Sequence, residues 1–274
     1  RGENGGTILN RNGKLRKLNL QGKGMALPGI YYSFNPSGRY LTYSTNTMVR
    51  DFNINADKRL EVYDTASDIY VADLDNNRII SSPQESDSSH LETFPTFSAN
   101  GKYIYYCAAN KKELSDKDLK NLKNLKNLKY ALVRIPFNEE NGTFGERIDT
   151  LYSSRSVSHP KISPDGRFCL FTALDYGTYP AWHTEADLYM LDLQTGKTDS
   201  LNIVNSEKSD TYHCWSHTGK WFVFISKRDD GIYGKPYFCY IDQQGKAHKP
   251  FVLPQKDPVS YTHLRAHETR RHLV

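Results

Sequence analysis

His159 to Ala173 reads HPKISPDGRFCLFTA. Pro164-Asp165-Gly166 is a turn by its chemistry. Proline supplies a φ near −65°, and glycine accepts the positive φ that other residues avoid. The run that follows, Phe168-Cys169-Leu170-Phe171, is apolar at every position, so this strand is expected to be covered on both faces. Two such runs joined by a tight turn make a β-hairpin.

The same frame occurs three more times. It reads YYSFNPSGRYLTYST from Tyr31 to Thr45, FPTFSANGKYIYYCA from Phe94 to Ala108, and YHCWSHTGKWFVFIS from Tyr212 to Ser226. The turn glycines are Gly38, Gly101, Gly166 and Gly219, spaced by 63, 65 and 53 residues. A second strand pair follows each hairpin: DIYVADLDNNRII from Asp68, YALVRIPF with ERIDTLY from Tyr130, DLYMLDLQTGKTDSLNI from Asp187, and PYFCYIDQQGKAHKPFVL from Pro236. Four strands per repeat make one propeller blade. The expected fold class is therefore all-β, a β-propeller fragment of about four four-stranded blades plus part of a fifth. Residues 1–24, with TILNRNGKLRKLNLQ, read as outer strands of a preceding blade, and residues 25–258 as the blades themselves.

Composition agrees with this reading. The 274 residues are 38% hydrophobic and 24% charged, with 19 tyrosines and 30 glycines and prolines together, which favours strands and turns over helices. No apolar run reaches the roughly 20 residues of a spanning helix. The net charge of +5 includes a tail, residues 259–274, that reads VSYTHLRAHETRRHLV. Val259 to Thr269 is what the end of a transposase-type sequencing adapter would encode, so the tail reads as non-native, and the chain as a fragment. The tail holds three arginines and one glutamate, leaving +3 for the remainder. A near-neutral surface gives no electrostatic case for nucleic acid. The cysteines, Cys107, Cys169, Cys214 and Cys239, lie in apolar or aromatic runs without zinc or haem spacing, and read as buried free thiols.

The SPDGR-type turn, the aromatic strand after it and the D-I/L-Y-x-x-D-L strand together resemble TolB-like, WD-repeat-like β-propellers of Gram-negative bacteria, over Met25 to Pro258. The stretches SKRDDG and KPFVLPQKDP resemble more narrowly a group of envelope-associated propellers, some of which are labelled cytochrome c biogenesis proteins; no haem-handling residue accompanies them here. The resemblance implies a non-enzymatic scaffold for protein contacts, periplasmic or outer-membrane-associated, with no cofactor, no catalytic residue and no metal site. Two alternatives stay open: the propeller domain of a larger prolyl-oligopeptidase-like peptidase, and a carbohydrate-binding or carbohydrate-cleaving propeller with an envelope glycan as partner. No GxSxG, HExxH or P-loop motif occurs. For the carbohydrate reading, Tyr176, Tyr179 and Trp182 are candidate platforms, and Asp175, Glu185, Asp229 and Asp230 candidate acids.

Long connections are the expected contact surface. They are Asn46 to Ser67, Ala109 to Lys129, Leu174 to Ala186 and Lys227 to Lys235. They carry the candidate partner-binding residues Arg50, Asp51, Tyr179, Trp182, His183, Arg228, Asp229 and Asp230. Trp182 and Arg228 are the expected energetic anchors. Within the second connection, LKNLKNLKNLK spaces its leucines three apart, which would drift them around an α-helix; it reads as a lysine-rich solvated insertion.

Overall fold

The computed structural model describes residues 7–18, 20, 29–52, 58–84, 87–113 and 122–253. The adapter-like tail and the first three residues of the LKN repeat, 119–121, lie outside the described residues. Four antiparallel blades follow one another along the chain. The first comprises β3 (Ile30–Phe34), β4 (Tyr40–Phe52), β5 (Leu60–Asp73) and β6 (Arg78–Ser81), preceded by a separate hairpin of β1 (Thr7–Arg11) and β2 (Lys14–Leu18). The second has β7 (His90–Phe97), β8 (Tyr103–Asn110) and β9 (Ala131–Asn138), with β10 (Thr143–Phe144) and β11 (Asp149–Tyr152) both pairing with β9. β12 (Ser156–Ile162), β13 (Phe168–Leu174), β14 (Asp187–Asp192) and β15 (Thr198–Ser200) form the third. The fourth is β16 (Asp210–Trp215), β17 (Trp221–Ser226), β18 (Lys235–Tyr240) and β19 (Phe251–Val252). One parallel bridge, Ser67 to Leu91, joins the first two blades at an edge.

One turn chemistry closes every inner hairpin. The glycine sits at φ +69° to +75° in all four, a conformation that a Cβ would strain. The residue three before it accepts the glycine N–H through its carbonyl, and through its side chain the N–H of the first residue of the next strand: Asn35 to Tyr40, Ser98 to Tyr103, Ser163 to Phe168, Ser216 to Trp221. In the first and third blades the arginine after the glycine pairs outward with the end of the third strand, Arg39 with Asp73 at 3.0 Å and Arg167 with Asp192 at 3.1 Å.

The core is a stack of interfaces between blades. Tyr40, Ile69 and Val71 of the first blade pack on Phe97, Ile104 and Val133 of the second. Cys107, Tyr130 and Leu132 pack on Phe171, Cys169 and Leu191 of the third. Leu170, Leu188 and Met190 pack on Phe222, Phe224 and Cys239 of the fourth. Leu18 and Leu20 cover the other face of the first blade at Leu41 and Tyr43. Both faces of β4 are buried as expected, Tyr40 and Thr42 on one and Leu41 and Tyr43 on the other. The last blade leaves Trp221 and Phe251 half open on its outer face.

Three local expectations need correction. Most of Asn46 to Ser67 is strand, because β4 and β5 keep pairing from Asn46–Ser67 to Phe52–Leu60, across one bulge between Thr47 and Met48, and extend the hairpin as an arm. Leu122–Asn127 is a 3₁₀ turn, and Leu125 and Leu128 are buried. A three-residue period that drifts on an α-helix is eclipsed on a 3₁₀ helix, so these leucines share one inward stripe. Cys214 is exposed, while Cys107, Cys169 and Cys239 are buried, and all four are free thiols. Cys214 lies where β16 is bulged out of register with β17, which turns its side chain out of the packed face.

The stacked-blade core predicts unequal costs for two aromatic truncations. Phe171→Ala, between two blades, should lower the unfolding free energy by about 3–5 kcal/mol. Trp221→Ala, on the open face, should cost less than about 2 kcal/mol. Urea denaturation of both variants checks the difference.

Candidate functional site

The innermost strands β3, β7, β12 and β16 lie side by side, and each is bulged at the same repeat position. The bulged residue is Tyr31, Phe94, His159 or Tyr212, held at φ +56°, +53°, +53° and +51°. Left-handed backbone is rare for bulky side chains and costs about 1–3 kcal/mol each. The bulges bring the four rings together on the inner rim of the blade arc. Centroids are 3.9 Å apart for Tyr31–Phe94, 4.0 Å for Phe94–His159 and 4.8 Å for His159–Tyr212. The ends of the row, Tyr31 and Tyr212, are partly open to solvent, at 37% and 39% exposure. Burial pushes the Tyr31 hydroxyl up to about 12, with the charges of Asp64 and Tyr179 adding to it. Burial also depresses His159, so its ring is neutral.

A charged cluster lies beside the rim. It joins the arm of the first blade to the insert between β13 and β14 of the third. His183 is fully buried. Its Nδ1 is 2.7 Å from Glu185 Oε1, and its Nε2 is 3.3 Å from Glu61 Oε2. The Tyr176 hydroxyl donates to Glu61 Oε1 at 2.6 Å, and Lys58 Nζ donates to Tyr176 at 3.2 Å and to Glu185 at 3.0 Å. Burial opposes charge on His183, but the hydrogen bonds to Glu185 and Glu61 outweigh it and raise its pKa. Burial likewise opposes charge on Glu185, yet its hydrogen bond to His183 and the pairing with Lys58 hold it down to about 2.

The third feature is a cleft of about 270 Å³ between the third and fourth blades, lined by Tyr179, Trp182, Tyr212, Ile225 and Lys227. The Lys227 ammonium sits 3.2 Å above the Trp182 ring, and the Arg59 guanidinium of the arm lies 5.5 Å from it.

The structure therefore brings Tyr179, Trp182 and His183 together near the rim. Arg50 and Asp51 lie on the arm, opposite Val62 and Glu61 in the ladder. Arg228 turns the other way. It reaches Asp210 at 2.9 Å and the Val204 carbonyl at 2.7 Å, with its guanidinium over Tyr237 at 4.4 Å. Asp229 pairs with Lys235 at 2.8 Å, and Asp230 accepts two backbone N–H groups of its own turn. The sequence reading missed Lys58 and Glu61, which enter the cluster only through the fold, and the row of rings. The rings did leave a signal, since each quoted repeat opens on an aromatic residue or histidine.

The arrangement resembles known propellers. TolB from Acinetobacter baumannii superposes with a TM-score of 0.50 and 14% identity, over 87% of this chain and 48% of that one. An oligogalacturonate lyase in complex with manganese gives 0.54 and 11%, over 88% and 57%. A prolyl endopeptidase gives 0.52 and 14%, over 89% and 32%. The fold is thus that of the TolB-like and related β-propellers, and the chain spans about a third to just over half the length of these proteins. In sequence, no protein family and no curated protein matches the chain. No helix among the described residues is long and apolar enough to cross a membrane.

The inward course of Arg228 gives a test. Arg228→Ala leaves the fully buried Asp210 without its guanidinium and should cost roughly 3 kcal/mol of stability. Asp229→Asn, breaking a half-exposed pair, should cost less than about 1 kcal/mol. Thermal melts of the two variants measure the contrast.

Proposed function

We propose that this chain is part of a non-enzymatic propeller scaffold of the cell envelope, periplasmic or outer-membrane-associated, that binds a protein partner over the inner rim and the third-blade insert. In this reading residues 1–24 supply strands of a preceding blade, residues 25–258 are the working blades and residues 259–274 are not native. The observation that carries it is the row Tyr31, Phe94, His159 and Tyr212. Four bulky residues keep a costly backbone conformation at one repeat position, which presents rings rather than ladder hydrogen bonds. Aromatic side chains with adjacent cations are what protein contact surfaces concentrate.

Three of the four acids weighed for glycan cleavage, Glu185, Asp229 and Asp230, speak against that alternative. A glycosidase acid needs a raised pKa. Glu185 is held low by His183 and Lys58, Asp229 by its hydrogen bond from Lys235, and Asp230 by backbone N–H groups. His183 has a carboxylate at each ring nitrogen and is no free base.

Immobilised protein challenged with periplasmic extract should retain a specific protein. Trp182→Ala should weaken that retention at least about fivefold, equivalent to ~1 kcal/mol, with a smaller loss of stability. Retention of polysaccharide in place of protein would favour the glycan reading. Equal loss of stability and binding would make Trp182 a fold residue.

A further inference from the structure

Lys58, Arg59 and Glu61 belong to the first blade, yet their side chains meet residues of the third, 115 to 127 positions further along for Lys58 and Glu61. We propose that residues 58–64 form a strap across the inner rim, latched onto the third-blade insert by the charged imidazole of His183 and released when that charge is lost. The proposal deepens the function above by giving its contact surface a control, and it rests on that reading only for its biological use.

The geometry favours the charge. His183 faces a carboxylate oxygen from each ring nitrogen, and only an imidazolium can donate to both. A neutral ring could donate to Glu61 alone, with its Nδ1 lone pair turned to Lys58 Nζ at 3.3 Å, and Glu185 would lose its imidazole donor. With His183 charged, the two cations Lys58 and His183 balance the two anions Glu61 and Glu185. Without that proton, the buried Glu61 loses its partner charge and a partly buried cluster carries an uncompensated negative charge, which is costly. From the strap, Lys58, Glu61 and Tyr63 face this site; from the insert, Tyr176 and Glu185 do. Behind Glu185, Arg155 donates to its carbonyl at 2.6 Å and pairs with Asp175 and Asp187.

The strap covers something. Tyr63 and Asp64 line a small void with Leu125, Leu128 and Tyr130. Lifting it would open this apolar patch to a partner.

The direction with pH follows from the groups themselves. The His183 pKa is raised in the folded protein, so its contribution is complete below the ordinary histidine value of about 6.5 and is lost as pH rises through the raised value. Burial opposes charge on Glu61, but bonds from His183 and Tyr176 hold it below the ordinary range. Glu61 and Glu185 therefore keep the latch intact until pH falls through their depressed values.

Hydrogen–deuterium exchange of the whole chain from pH 5 to 9, corrected for the intrinsic pH dependence of exchange, tests this without any partner. Peptides covering 60–64 and 176–185 should lose protection at least about tenfold toward the alkaline end, while β13 and β17 stay protected. His183→Gln should flatten that dependence. Should His183→Gln fail to fold, Glu61→Gln, which removes one of the two anions, should shift the loss of protection to lower pH. Constant protection in the wild-type chain across this range would overturn the latch, as would an unchanged step in the variants. Failure to find an envelope partner would leave the exchange result standing, so the two readings fail separately.

Discussion

Each inner blade buries apolar side chains on both of its faces, and this double burial sets where everything else lies. A sheet with one wet face can stand alone, but the strand Phe168-Cys169-Leu170-Phe171 cannot, since all four side chains are buried. Its neighbours on either side must be further sheets. Repeating that demand stacks the blades in an arc with each first strand innermost. The open outer face of the last blade shows the demand unmet: Trp221 stands exposed where its counterparts Tyr40 and Phe168 are buried.

Convergence of the first strands has a price at the rim, where neighbouring chains crowd. The bulges answer it by turning one residue per blade out of the ladder into left-handed backbone, so that rings meet across blade boundaries. The same crowding brings the arm of the first blade within hydrogen-bond reach of the third-blade insert. There desolvation would penalise any isolated charge, and the cluster survives because each charge has an opposite partner at 2.7–3.3 Å. Packing forces thus deliver the geometry, and electrostatics decides which of the resulting contacts holds.

The blades were legible because their cause is local. Pro-Asp-Gly and its variants state the turn, and uninterrupted apolar runs state burial on both faces. The arm was not, because NTMVRDF and LEVYDTAS mix polar and β-branched residues, and only pairing between them and contact with other blades make them strands. The 3₁₀ turn at Leu122–Asn127 was misread because the leucine period was measured against the wrong helix. Tyr179, Trp182 and His183 were singled out by residue type in a long connection, and the fold sets them beside the rim. Arg228 fits the same description but bonds a buried carboxylate of its own blade. Lys58 and Glu61 lie too far along the chain from His183 for any sequence pattern to connect them.

In the proposed reading the exposed ends of the rim row, Tyr31 and Tyr212, are held under backbone strain for contact, while Phe94 between them belongs to the core. Tyr212→Gly tests it most directly, since Tyr212 is exposed and glycine relieves its φ of +51°. Melting temperature and partner retention should be measured on the same preparation. The account predicts an unchanged or higher melting temperature together with lost retention. A fall in melting temperature as large as that of a buried aromatic truncation, with retention intact, would contradict it.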